Sequence, residues 1–324
     1  MKMSRIKLSD IVKKQDKIIK NVHEEYINYC ISIGQTEGTI YSKQQFFKYT
    51  LPKIVNVNDK ISTFTKNKLE DYVIYLRNNN YSGNYYQTTV IKCKAFLTYC
   101  FKHSYLKEFE VKIPIVTQKK KDIYSEDELI KLLKKPNLKK CLVGEYKSWV
   151  TVSFLLGTGC RATTFLNILV KDVDFNNKSI LFRHMKMRKQ ITVPLSPTLE
   201  NILKEYINLL DLKNDDILFP KLNKEKMKYN TLHNQICIYC KHRNVKMKGI
   251  NTFRNTFATL FIKNGNNNIY LLQKLLAHSD IKQTERYINL LPLEMKDDIN
   301  KYNPLDVLSK KNSRMKLKVN GGVR

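Results

Sequence analysis

The stretch from Asn251 to Tyr287, NTFRNTFATLFIKNGNNNIYLLQKLLAHSDIKQTERY, constrains this 324-residue chain more than any other. Phe253, Phe257, Leu260 and Phe261 recur at helical spacing and stop at Gly265; Ile269, Leu272 and Leu276 repeat the pattern and stop before His278. Such spacing predicts amphipathic helices. Asp280 and Gln283 form a variant capping box for a third helix carrying Tyr287. Each run brings one chemically distinct side chain: Arg254, then His278, then Tyr287 nine positions later. Phosphoryl transfer without a metal needs fixed cations around the phosphate and a nucleophile held in line. An arginine, a histidine and a tyrosine on three consecutive short helices supply those parts.

Charge points the same way. Lys and Arg number 58 against 29 acidic residues, a formal charge of +29. A codon bias toward lysine and asparagine would raise glutamate too, so the imbalance stands. It suits a polyanion, and phosphate backbones are the commonest one. The length favours two domains, each able to bury its own core. No run of eighteen apolar residues spans a membrane, and the N-terminus lacks the apolar region of a signal peptide. Seven scattered cysteines argue against a disulfide framework, so the chain reads as cytoplasmic with reduced thiols.

Four helical patterns fill the N-terminal third: His23 to Ile33, then Gly38 to Leu51, Lys68 to Arg77, and Tyr85 to His103. By spacing, most of their aromatics belong to a core. Val111 to Asp122, with a proline and the run Lys119, Lys120, Lys121, reads as a basic linker able to meet phosphates. Ser125 and Glu128 then form a capping box. A helix from Lys147 to Leu156 ends at Gly157-Thr158-Gly159, just before Arg161. Short strands are predicted at Val173–Phe175, Ile180–Phe182 and Ile191–Val193, with a basic loop containing Lys186, Arg188 and Lys189 before the last. A helix from Thr198 to Leu210 follows, and Asp215 to Lys228 reads as a surface connection.

Two arginines, Arg161 and Arg254, offer bidentate donors to the non-bridging oxygens of a phosphodiester. Taken alone, Arg161 suits an ordinary arginine paired with a carboxylate. Neighbouring cations lower a tyrosine's pKa toward the phenolate, which suits Tyr287 as nucleophile. The expelled sugar oxygen needs a proton, and Lys186 is a suitable acid. His278 would donate to a phosphate oxygen or orient the tyrosine, although a histidine at a helix end is often only a dipole cap. Other chemistries find less support. His233, Cys237 and Cys240 lie at helical spacing in a core-like helix, and the single CxxC has no second pair, which disfavours zinc. Asp172-Val173-Asp174 lacks a third acidic group for a metal nuclease, and no phosphate-binding glycine loop is present.

These boxes resemble the tyrosine recombinases, the phage integrase family. LLGTGCR, ending at Arg161, is similar to the first arginine box; KMRKQITVPL holds the hairpin lysine, Lys186; FRNTFAT carries Arg254; LLAHSDIKQTERY carries His278 and Tyr287. The family usually has histidine at the position of Asn251; asparagine hydrogen-bonds there but cannot shuttle a proton. Asn255 likewise replaces a common histidine, and Thr164 stands where an acidic residue often follows the first arginine.

The resemblance implies a mainly α fold with a small β-sheet (α+β), closing as a C-shaped clamp on duplex DNA. Its parts would be a basic segment (1–20), a helical core-binding domain (21–110), a basic linker (111–123), a catalytic domain (124–303) and a basic tail (304–324), with no separate arm-binding domain. It implies site-specific cleavage and rejoining through a 3'-phosphotyrosine at Tyr287, with Arg161, Lys186, Asn251, Arg254 and His278 around the phosphate. Strand exchange would run through a Holliday junction in a homotetramer on paired sites, without cofactor, metal or ATP. An accessory DNA-bending or directionality factor is compatible with it, as is a nucleoid-associated location. Integration or excision of a mobile element is the expected role. The alternatives are chromosome-dimer resolution, a type IB topoisomerase and a non-catalytic DNA-binding regulator.

Overall fold

Each periodic stretch of the N-terminal third is a helix in the computed structural model, which describes residues 16–116, 122–183, 190–263, 268–278, 280, 281 and 283–285. The chain divides into two compact units, Met1–Lys119 and Lys120–Arg324. The first contains α1 (Ile19–Ser32), α2 (Glu37–Tyr49), α3 (Lys66–Asn78) and α4 (Gly83–Lys102). Thr65 and Ser82 start α3 and α4, their hydroxyls accepting from the N–H groups of Lys68 and Tyr85 at 3.4 and 3.3 Å. Ile19, Val22, Cys30, Phe46, Leu76, Val90, Cys93 and Phe96 close the core, and Val111 joins it from beyond α4.

The aromatics of this unit divide by depth. Phe46, Phe64 and Phe96 are buried, as are Tyr26, Tyr72 and Tyr99. Phe47, Tyr86, Phe101, Tyr105 and Phe109 are half-buried against the same core, so most aromatics here belong to it, as their spacing predicts, while Tyr29, Tyr41, Tyr49, Tyr75, Tyr81 and Tyr85 are exposed. A phenol tolerates the edge of a buried stripe, ring packed and hydroxyl in water. Tyr75 shows this, stacking on buried Tyr72 at 6.1 Å while itself exposed.

The second unit opens with α5 (Glu126–Leu133), whose Ser125–Glu128 capping box is present in both directions. Next come α6 (Val143–Thr158), the short α7 (Ala162–Phe165), three strands, α8 (Pro197–Leu209), α9 (Tyr229–His242), α10 (Ile250–Lys263) and α11 (Ile269–Leu276). Every residue of α6 from Tyr146 to Leu155 is buried, and the helix packs against α5, α8, α9 and α10. A helix surrounded in this way needs internal partners for its polar groups. The Thr151 and Thr158 hydroxyls donate to carbonyls one turn back, and the Lys147 ammonium donates to the Pro220 carbonyl at 2.6 Å.

The strands β1 (Val173–Asp174), β2 (Ser179–Phe182) and β3 (Ile191–Pro194) form an antiparallel sheet in the order β1-β2-β3, with Val173 opposite Ile180 and Phe182 opposite Ile191. Beneath β2, the buried Asp172 carboxylate accepts from the Leu169 N–H at 3.0 Å and pairs with Arg183. The expected surface connection after Asp215 is partly core. Leu218 donates to the Ile168 carbonyl at 2.8 Å, and Phe219 stacks on Phe165 at 4.2 Å. Two consecutive large apolar residues find room there because α6 and α7 leave an aromatic slot. Among the described residues no helix is long and apolar enough to cross a membrane, and no group of three or more His, Cys, Asp or Glu could hold a metal ion. The basic tail from 304 onward lies outside the described residues.

Candidate active site

Three helix ends converge on one guanidinium. α6 stops at Gly159, whose φ of 60° puts it in the left-handed region that glycine enters without strain. α11 stops at Ala277, also left-handed with φ 48°, and the chain leads directly to His278. α10 carries Arg254, buried at 7% exposure. Its Nη1 donates to the Gly159 carbonyl at 2.9 Å, and its Nη2 to the Leu276 carbonyl at 2.7 Å and to His278 Nε2 at 2.8 Å.

The two carbonyl partners carry no formal charge. The carbonyls are the partly negative ends of α6 and α11, which favour a cation without cancelling it. α10 is in turn fixed to the start of the unit. The Tyr124 backbone N–H donates to Thr256 Oγ1 at 2.9 Å, and the Tyr124 ring stacks on Phe253 at 4.7 Å.

Arg161 is the N-cap residue of α7, two positions beyond Gly159, and is half-buried. Asn251 is exposed on α10, one turn before Arg254. His278 is half-buried; its backbone N–H donates to the Gln273 carbonyl at 3.0 Å, and Gln273 Nε2 returns a bond to the His278 carbonyl at 3.1 Å. Its Nδ1 lies 2.8 Å from the hydroxyl of Thr284, a fully buried residue. Cys160, beside this cluster, is inert as a nucleophile because burial pushes its thiol up to about 11, despite the nearby Arg254. Thr164 is buried on α7.

Arg254 and His278 are therefore brought together. Tyr287, Lys186, Arg188 and Lys189, and the linker lysines Lys119, Lys120 and Lys121, lie outside the described residues. The sequence reading missed the Gly159 carbonyl as an acceptor for Arg254, Tyr124 as the brace of α10, and Thr284. Of these only Gly159 left a signal, as a glycine just before the first arginine.

The chain matches the phage integrase family over residues 124–294. It belongs to that family. The tyrosine recombinase XerA of Saccharolobus solfataricus is 32% identical over 188 residues, which make up 58% of this chain and 60% of that protein. A probable integrase/recombinase of Acholeplasma phage L2 is 31% identical over 238 residues, 71% of this chain and 78% of the phage protein. Among solved structures, the Tn1549 transposon integrase in complex with transposon right-end DNA superposes with a TM-score of 0.70 at 16% identity, over 84% of this chain and 94% of that one. That likeness shows the fold. The chain is thus a tyrosine recombinase, of the DNA breaking-and-rejoining class of enzymes.

Proposed function

We propose that this recombinase cuts and reseals duplex DNA at a defined site through Tyr287, and that its role is to integrate or excise a mobile element. The observation that carries this reading is the Arg254 cluster: a buried guanidinium held by two helix-end carbonyls and His278 at 2.7–2.9 Å. Preorganised charge of this kind stabilises a phosphorane-like transition state without reorganising during the reaction.

In the proposed step, Tyr287 attacks phosphorus as the phenolate, its proton already released to solvent, while Arg254 and Arg161 grip the non-bridging oxygens. The new bond is tyrosyl O–P; the bond broken is that to the 5'-oxygen, which leaves as a hydroxyl with a proton from Lys186. Asn251 offers the phosphate a neutral hydrogen bond. Attack by the 5'-hydroxyl of a partner strand reverses the chemistry, so the bond energy is retained and no nucleotide cofactor is needed. Two duplexes present four strands, and one tyrosine per strand calls for a homotetramer. Lys119, Lys120, Lys121, Arg188 and Lys189, with the exposed tyrosines of the first unit, would contact the duplex. Location in the cytoplasm with the nucleoid, and help from a DNA-bending or directionality factor, fit this reading. Chromosome-dimer resolution by the same chemistry is the second reading.

A nicked suicide duplex taken from the element's ends, incubated with the protein in EDTA, tests the proposal. A covalent protein–DNA complex is expected with the wild-type chain and none with Tyr287→Phe. Tight binding without any complex would refute it and favour a regulator.

A further inference from the structure

Thr284 departs from what five other buried threonines of this unit do. Thr151, Thr158, Thr252, Thr256 and Thr259 all donate their hydroxyls to the carbonyl four residues back, the ordinary resting place for a threonine inside a helix. Thr284, with no exposure at all, instead sets its hydroxyl 2.8 Å from His278 Nδ1. On the other side of the same ring, Nε2 lies 2.8 Å from Arg254 Nη2.

The two contacts together determine where the ring proton sits. A guanidinium has only donors, so Nε2 must accept. A neutral imidazole that accepts at Nε2 carries its proton at Nδ1, and that proton points at Thr284 Oγ1, which accepts it. The other neutral tautomer, and equally the imidazolium, would set an N–H against the Arg254 N–H.

We infer that Thr284 is a positioning residue that accepts the Nδ1 proton of His278 and so keeps the ring turned with Nε2 toward Arg254, holding Arg254 in the geometry that receives the phosphate. The inference rests on the proposed phosphotyrosine chemistry for its consequence, not for its geometry. Thr284 also lies three positions before Tyr287, on a stretch that is helical from 283 to 285. One hydroxyl therefore ties the segment leading to the nucleophile to the ring that steers the arginine. His278 here acts first on the arginine, and a donor role toward phosphate requires it to leave Arg254.

The test uses the full chain, labelled with ¹⁵N-histidine, and two variants. Long-range ¹H–¹⁵N spectra distinguish pyrrole-type from pyridine-type nitrogens, and His278 is assigned by comparison with His278→Asn. Wild type is expected to show a pyrrole-type Nδ1 and a pyridine-type Nε2. Thr284→Val, which keeps the shape and removes the oxygen, is expected to lose that pattern. It should also slow covalent-complex formation by about 10- to 100-fold at unchanged DNA affinity, the range for losing an orienting partner. Thr284→Ser should retain the pattern and restore most of the rate. An Nε2-protonated His278 in the wild type, or a Thr284→Val spectrum like the wild type's, overturns the inference. If Thr284→Val does not fold, the wild-type spectrum alone decides. If the wild type forms no covalent complex, the proposed function fails while the spectrum still decides the tautomer.

Discussion

Replacing Gly159 by alanine probes the hinge on which the Arg254 cluster depends. An added Cβ would lie 2.5 Å from Phe257 Cδ1 and 3.1 Å from Leu276 Cδ2, on a backbone with φ of +60°. The left-handed conformation costs an L-residue about 1–2 kcal/mol. Overpacking against a ring on α10 and a leucine on α11 adds about 1–3 kcal/mol. A loss of roughly 2–5 kcal/mol follows, which for a unit of this size lowers Tm by roughly 4–20 °C. The single tryptophan, Trp149, is buried on α6, so its fluorescence reports unfolding of the second unit alone. Gly144→Ala is the control: it lies on the same helix, meets nothing within 4 Å, and should be neutral or stabilising by up to about 1 kcal/mol. Adding Phe257→Ala to Gly159→Ala should recover the steric part and leave the backbone part. A Gly159→Ala protein as stable as Gly144→Ala would refute the claim that this turn requires glycine.

Two further outcomes are expected. His23 is buried and stacked on Phe47 at 3.9 Å; burial first, and then Lys43, lower its pKa to about 4. Because the folded value lies below the unfolded one, its contribution is complete above the unfolded pKa and is lost as pH falls from about 6.5 toward 4. Urea unfolding followed by far-UV circular dichroism should show about 2 kcal/mol less stability at about pH 5 than at about pH 7.5 from this group. A His23→Gln protein showing the same drop would dismiss His23 as its source. Asp172→Asn should destabilise the second unit by about 1–3 kcal/mol, since the side chain is only 1% exposed and serves both the Leu169 N–H and Arg183. Arg183→Leu should cost more by Trp149 fluorescence, because it leaves the buried Asp172 carboxylate without its cation, whereas Asp172→Asn leaves only the 37%-exposed Arg183 side chain to water; the reverse order would contradict the burial argument.

Periodicity made the helices of the first unit legible, as it did α10 and α11, and alternation between turn residues did the same for the strands. α6 was seen only in part because a helix buried on every side has no polar face to set its phase. Leu218 and Phe219 were misread because the slot that accepts them is built by residues far earlier in the chain, Phe154 and Phe165 among them. Arg254 and His278 were legible because their chemistry is rare and their order specific. Thr284 and the Gly159 carbonyl were not: one is a common residue whose hydroxyl has many uses, and the other is a backbone atom, which no side-chain pattern reveals.

Because the Arg254 guanidinium closes the last turns of α6 and α11, selection for folding and selection for chemistry act on the same side chain. A descendant that stopped cutting DNA but kept this architecture would still be under pressure to retain that arginine. The second arginine box would then outlast the reaction, and activity inferred from its presence alone in divergent descendants would overcount enzymes.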